Sequence, residues 1–180
     1  AGQGDVPGDG DQFGFSLALS GDGTTLAVGA LTEDSAAQQI NGNQNDDSAQ
    51  STGAVYVLTR TGSSWAQQAY LKTSNAEAGD DFGFSVALSF DGNTLAAAAF
   101  DEDGSGRTTN PPHDNLSQNS GALYVFTRQN GGWSQQAYIK GSKGETSDEG
   151  SKAKPSGADA AATASTGSEG GTGPAAKTTD

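Results

Sequence analysis

Residues 80–100 read DDFGFSVALSFDGNTLAAAAF, and residues 11–31 read DQFGFSLALSGDGTTLAVGAL, so the chain contains nearly the same segment twice. Phe13 matches Phe82 at an offset of 82 − 13 = 69 residues. After a variable loop the offset becomes 133 − 65 = 68, because Trp65 matches Trp133 and the letters QQAY recur two residues after each tryptophan. The sequence therefore predicts two copies of one unit, at about residues 9–72 and 78–140.

Each unit is predicted to form four short strands separated by turns. Residues 82–88 alternate large and small side chains, which is the period-two pattern of a strand with one bulky face and one small face. An Asp-Gly-Asn turn at 91–93 returns the chain into a second strand at 95–99. Residues 122–127 are apolar on both faces, so this third strand should be covered on both sides. The fourth, at 133–140, is more polar, as expected of an outer edge.

A sheet with one bulky and one small face stacks naturally on a copy of itself, as propeller blades do. The predicted fold class is therefore all-β, with two four-stranded antiparallel β-propeller-like blades within residues 1–140. A β-sandwich of two sheets is the alternative. The paired phenylalanines are predicted to be core residues of the two blades: Phe13, Phe15, Phe82 and Phe84.

Composition limits the possible functions. The 180-residue chain has 9 Lys and Arg against 22 Asp and Glu, a net charge of −13 that disfavours binding to nucleic acid and anionic lipid and attracts cations. There is no Cys, so neither a disulfide nor a thiolate metal site can form. No apolar run approaches the ~18 residues of a membrane span. The chain also has no Met, which suggests a processed chain or a fragment of a longer one.

The composition changes abruptly after residue 140. Residues 141–180 contain no aromatic residue and no Val, Leu or Ile, and consist largely of Gly, Ala, Ser, Thr and charged residues. Such a segment cannot bury enough apolar surface to fold alone, so it is predicted to be an extended low-complexity tail or linker. Its many Ser and Thr residues are candidate glycan attachment points, and Asn115-Leu116-Ser117 fits the N-glycosylation pattern.

The repeated segment, from FGFS through the Asp-Gly turn and TLA to GA-YV-TR and W-QQAY, resembles the FG-GAP repeat over residues 9–140. That repeat forms the blades of the integrin α-subunit head and recurs in bacterial surface and secreted proteins, so the resemblance implies an extracellular, adhesive β-propeller protein. The Gly-Ala-Pro of the family is Gly29-Ala30-Leu31 in the first copy and Ala98-Ala99-Phe100 in the second. Family propellers usually close with seven blades, and two are recognised in this sequence.

The resemblance also implies a calcium site in the long loop between the second and third strands. Calcium binds six to eight oxygens, which Asp and Asn side chains around a turn can supply. Alternatively, such a loop hydrogen-bonds its own backbone. The candidate ligands are Glu33, Asp34, Asn41, Asn43, Asn45 and Asp47 in the first loop, with Asp101, Asp103 and Asp114 in the second.

The sequence shows no Gly-rich phosphate loop, no nucleophile elbow and no basic patch, so the protein is predicted not to be an enzyme. His113, the single histidine, follows Pro111-Pro112 and is predicted to be a solvated loop residue, and Asp22 and Asp91 precede Gly, where a turn role is expected. Trp65 and Trp133 occupy matching positions and are predicted to pack, the alternative being that they stack on sugars.

A repeat unit buries its apolar face against its neighbours, and repeat architectures generally need three or more units. Two blades are therefore expected to leave apolar faces uncovered. The predicted function is an extracellular structural or adhesive protein that forms an oligomer or filament through blade stacking and tail exchange. The alternative is a fragment of a larger calcium-dependent FG-GAP propeller that recognises a protein or glycan ligand.

Overall fold

The computed structural model describes residues 10–141. The prediction for the tail at 141–180 therefore lies almost wholly outside the described residues. Within the described range the chain forms eight strands and no helix. In chain order they are β1 (Phe13–Leu19), β2 (Thr25–Ala30), β3 (Ala54–Thr61), β4 (Ser64–Leu71), β5 (Phe82–Leu88), β6 (Thr94–Ala99), β7 (Ala122–Gln129) and β8 (Gly132–Ile139).

The strands form two four-stranded sheets in the orders β1-β2-β3-β4 and β5-β6-β7-β8. Every neighbouring pair is antiparallel, and the two sheets have matching registers. The predicted fold class is confirmed. The polar fourth strands, β4 and β8, lie at sheet edges as expected. No helix within residues 10–141 is long and apolar enough to cross a membrane.

Each first strand contains a bulge, and the one in β5 contacts the first sheet. In β5, Phe82 pairs with Ala99 but Ser85 pairs with Ala98, so Gly83 and Phe84 are inserted between them. Gly83 has φ +93, which favours glycine, and a Cβ built there would lie 2.6 Å from the carbonyl oxygen of Ala54 in the first sheet. The bulge thus allows close approach of the two sheets.

The main core lies between the bulky face of the second sheet and the small face of the first. Phe82, Leu95 and Phe126 are fully buried from one side, against Val55 and Val57 from the other. Burying side chains of this size stabilises the fold by about 1.5–3 kcal/mol each. The second sheet therefore has its bulky face covered by the first.

The bulky face of the first sheet has no such cover within the described residues. Phe13 is 50% exposed and Phe15 is 43% exposed, so the prediction that both belong to the core is wrong. Phe82 is buried as predicted, whereas Phe84 is only partly buried and stacks on Phe100 with ring centroids 4.9 Å apart. The physical reason is that, within the described residues, no other sheet covers the bulky face of the first sheet.

The third strands show the same asymmetry. Residues Ala54 to Val57 of β3 are all buried: Val55 and Val57 lie in the main core between the sheets, and Ala54 and Tyr56 lie in a separate small cluster on the other face. In β7, by contrast, Leu123 is 39% exposed, because its face is the outer face of the second sheet. The predicted two-sided cover of residues 122–127 is therefore wrong, although the equivalent residues of β3 are buried on both faces.

Candidate functional site

The loop between β2 and β3 is anchored by a buried ion pair at its base. The Lys72 ammonium, just after β4, donates to Glu33 Oε2 at 3.0 Å, to the Gly53 carbonyl at 2.7 Å, and to the Thr52 hydroxyl. Both charged side chains are almost fully buried. Burial lowers the pKa of Lys72, and the Glu33 carboxylate opposes that shift. In this structure, one predicted calcium ligand is therefore the counter-ion of a lysine.

The second sheet repeats this arrangement. Lys140 pairs with Glu102 and donates to the Ser120 hydroxyl at 2.7 Å, while the Tyr138 hydroxyl donates to Glu102 Oε1 at 2.6 Å. The sequence analysis did not identify Glu102 or either lysine. The signal was present, because the Glu and the Lys recur at the two repeat offsets, 102 − 33 = 69 and 140 − 72 = 68.

The other acidic candidates of the loops mainly bind loop backbone. Asp34 Oδ1 accepts from the Ser51 amide at 2.7 Å, and Asp103 Oδ1 accepts from the Asn119 amide at 2.7 Å. Asp114 accepts from the Ser105 amide and hydroxyl, and these bonds lower the pKa of its carboxyl. In Asp101, the Oδ1 atom is buried without a hydrogen-bond partner. Asp47 is exposed.

The Asn candidates fall into two groups. The Asn41 side-chain oxygen accepts from the Tyr70 amide at 3.0 Å, and its backbone N–H donates to the Tyr70 carbonyl at 2.7 Å, which ties the loop to β4. Asn43 Oδ1 accepts from the Asn45 amide in a local turn. Both Asn43 and Asn45 are exposed.

Among residues 10–141, no three Asp, Glu or His side chains are grouped closely enough to hold a metal ion. Asn oxygens and backbone carbonyls can add to such a set, so calcium binding by the predicted loop residues stays a prediction. The structure brings Glu33 to Lys72 and Asp34 to the loop backbone. It does not gather the nine candidates around one point.

The remaining sequence candidates take structural roles. Asp22 accepts from the Ser20 hydroxyl and the Thr24 amide, Asp91 accepts from Ser89 and Asn93 in the same way, and these bonds lower both pKa values. The His113 ring lies 5.0 Å from that of Tyr138. The expected turn roles of the two aspartates are thus observed.

A further acidic residue, Asp80, lies in the connection between the two sheets and is 6% exposed. Burial raises the pKa of its carboxyl to about 7, and the nearby carboxylates of Glu102, Glu77 and Asp103 act in the same direction. The Glu77 amide donates to Asp80 Oδ2 at 2.8 Å and opposes the shift. This residue was not singled out from the sequence, because its burial depends on the packing of the two units.

The bulky face of the first sheet, which we call the open face, exposes several large apolar side chains. It carries the exposed side chains of Phe13, Leu17 and Leu19, of which Leu17 is 63% and Leu19 is 57% exposed. Beneath them lies a second small core made of Val28, Ala30, Ala54, Tyr56 and Tyr70. Exposed apolar side chains grouped on one face are a common feature of protein interaction surfaces.

The FG-GAP repeat family matches residues 65–126, which run from β4 of the first sheet through most of β7 of the second. This match confirms the predicted resemblance over that part of the chain. FG-GAP repeats are typically non-enzymatic binding or structural modules of propeller and adhesion type, and are typical of extracellular or surface proteins. No curated protein and no solved structure matches the chain.

Proposed function

We propose, from the FG-GAP repeat and the open face, that this chain is a non-enzymatic structural or adhesive protein of the cell exterior. In this proposal it assembles with copies of itself by stacking its sheets into an oligomer or filament. The observation that carries the proposal is the contrast between two equivalent residues. Phe82 is fully buried against the first sheet, whereas Phe13, its counterpart in the first copy, is 50% exposed.

The open face has the same chemistry as the buried bulky face of the second sheet. Leu17 and Leu19 occupy the positions of Val86 and Leu88, which pack against the main core. Leaving such side chains in water forgoes about 1.5–3 kcal/mol for each one that could be buried. A second sheet placed on the open face would recover this free energy.

The opposite end of the molecule offers a matching surface. The outer face of the second sheet carries Ala96, Ala98, Leu123 and Val125, at the positions that Ala27, Gly29, Val55 and Val57 occupy on the small face of the first sheet. The two ends are therefore different from each other and complementary. Contacts between unlike surfaces generate either a closed ring or an open filament.

The sequence outside the described residues supports a connecting role. Residues 141–180 have no large apolar side chain, so in the proposal they act as a tether that exchanges between copies. A chain that ends at Lys140 should then assemble more weakly than the full chain while it melts at a similar temperature.

Sedimentation velocity over a wide micromolar range tests the proposal. The full chain should sediment as species larger than a monomer, and the Leu17→Ser/Leu19→Ser variant should shift to monomer. Leu116→Ser is the matched control, because Leu116 is 78% exposed in a loop outside the open face. A compact monomer at all concentrations, or equal behaviour of the two variants, would refute the assembly.

The two unlike ends also favour a second candidate function, since adjacent blades within a longer propeller present the same pair of faces. In that case the chain is part of a larger calcium-dependent FG-GAP propeller that recognises a protein or glycan ligand. A monomeric full chain whose melting temperature rises when calcium is added would support this second candidate over self-assembly.

A further inference from the structure

The two sheets are joined near their outer edges by a hydrogen-bonded group that we call the clasp. In the first sheet, Gln68 Oε1 accepts two hydrogen bonds from the second sheet. The donors are Arg128 Nη1 at 2.9 Å and Trp133 Nε1 at 3.1 Å. The other guanidinium nitrogen, Nη2 of Arg128, donates to Thr25 Oγ1 at 3.2 Å. Trp133 is 9% exposed, so the clasp is partly shielded from water.

Both the donor residues and the acceptor residues of the clasp occur in each of the two repeat copies. The donors Arg128 and Trp133 correspond to Arg60 and Trp65 at an offset of 68 residues. The Arg60 guanidinium lies 5.8 Å from the centre of the Trp65 ring, compared with 5.4 Å for Arg128 and Trp133. The donor half of a second clasp is therefore already arranged on the first sheet, where Trp65 is 40% exposed.

The acceptor half of that second clasp is at the other end of the molecule. Gln136 corresponds to Gln68, and Thr94 corresponds to Thr25. Both Gln136 and Thr94 are exposed. Within residues 10–141, the Gln136 side chain has no hydrogen-bond partner. The chain thus presents a donor pair at one end and its acceptor pair at the other.

We propose that Gln136 of one copy accepts hydrogen bonds from Trp65 and Arg60 of a second copy, as Gln68 does within the chain. This inference rests on the proposed self-assembly, and it fixes the orientation and register of the copies. The occupant is a second copy rather than an unrelated protein because the missing partner of each end is present, with the same residue types, at the opposite end of the same chain.

One position makes the contact between copies looser than the contact within the chain. A Cβ on Gly29 would lie 2.2 Å from the Gly83 carbonyl oxygen, and the residue equivalent to Gly29 on the outer face is Ala98. Gly14 is the counterpart of Gly83. In the contact between copies, the Gly14 carbonyl oxygen of the second copy would therefore have to move away from the Ala98 Cβ by roughly 1 Å to reach ordinary contact. Ala98→Gly is therefore expected to tighten the association of copies.

The test measures the association constant of the full chain by sedimentation equilibrium. Gln136→Ala removes the acceptor and should weaken association about tenfold, which corresponds to the loss of one or two hydrogen bonds. Gln118→Ala is the matched control, because Gln118 is an exposed glutamine in the loop between β6 and β7. At concentrations at which the parent is monomeric, the melting temperatures of both variants should equal that of the parent, since both side chains lie at the surface.

A charge change gives a readout that general loss of packing would not. Gln136→Glu places a carboxylate beside Arg60 of the second copy, so association should tighten and become more sensitive to salt. Gln118→Glu adds the same charge to a chain of net charge −13 without a facing arginine, so it should weaken association or leave it unchanged.

The outcomes separate this inference from the proposal on which it rests. If the chain assembles but Gln136→Ala behaves like Gln118→Ala, the clasp between copies is wrong while stacking stands. Equal weakening by Gln136→Ala and Gln136→Glu would overturn the pairing with Arg60. If the unmodified chain does not associate, both proposals fail.

Discussion

Replacing Glu33 by Gln should destabilise the protein more than any other single change of one carboxylate to an amide in the first loop. The substitution keeps the size of the side chain but removes the carboxylate that pairs with Lys72. The buried ammonium keeps the Thr52 hydroxyl, the Gly53 carbonyl and a neutral amide as hydrogen-bond partners, and the carboxylates of Asp80 and Asp34 act on it without a hydrogen bond. Removing one partner of a buried ion pair costs about 3–5 kcal/mol, because the remaining charge is desolvated without compensation.

For a folded unit of this size, that loss should lower the melting temperature by roughly 10–20 °C. Circular dichroism at 218 nm, near the usual β-sheet minimum, would follow the transition at neutral pH. Glu77→Gln is the matched control, because Glu77 is exposed and bonds to the side chain of Asn115, which is also exposed. Its melting temperature should change by no more than a few degrees.

The double variant Glu33→Gln/Lys72→Met tests the physical reason. Once the lysine charge is also removed, no buried ion is left unpaired, and most of the lost stability should return. If Glu33→Gln melts within two degrees of the parent, the pair contributes little to stability. If the double variant is as unstable as the single one, the cost does not come from the unpaired charge.

Three further perturbations test other parts of the structure. Burial raises the pKa of Asp80 from 3.8 to about 7, so the stability that this group contributes is fully present below the unfolded value and is lost as the pH rises to the folded value. The melting temperature of Asp80→Asn should therefore match that of the parent near pH 4, rise above it progressively between pH 4 and 7, and show its full excess above about pH 7. Gly29→Ala should cost about 1–3 kcal/mol in denaturant unfolding, because its Cβ would meet the Gly83 carbonyl, whereas Gly132→Ala should not, because its Cβ would lie at an ordinary contact distance of 3.7 Å from the Gln129 carbonyl oxygen. Calcium at a hundredfold excess over its dissociation constant should stabilise the chain by about 2.7 kcal/mol if the 41–47 loop binds it, and calorimetry that shows no heat at millimolar calcium would contradict this.

The local structure of this protein follows from its sequence. The alternation in residues 82–88 and the Asp-Gly turns set strands whose observed ends differ from the predicted ones by at most two residues. The repeat then fixes the number of sheets, because two copies of the same four-strand pattern form the same antiparallel order twice. Backbone hydrogen bonding and side-chain period are short-range properties, so a single sequence contains them.

The loop chemistry could be predicted only in part. Asx-rich loops were expected either to hold calcium or to bind their own backbone, and Asp34 and Asn43 do the latter in this structure. The spacing of oxygen-bearing side chains does not show which N–H group each one meets. The buried pair of Glu33 and Lys72 joins residues 39 apart, and only the folding of the sheet brings them together.

Burial was decided by the tertiary structure alone. Phe13 and Phe82 stand in the same local sequence and the same bulge, yet one is 50% exposed and the other is fully buried. Trp65 and Trp133 differ in the same direction, at 40% and 9%. The sequence determines which face of each sheet is bulky, but whether that face is covered depends on a neighbouring sheet. In residues 10–141 only the second copy has that neighbour, because burial is a property of the contact between sheets and not of either sheet by itself.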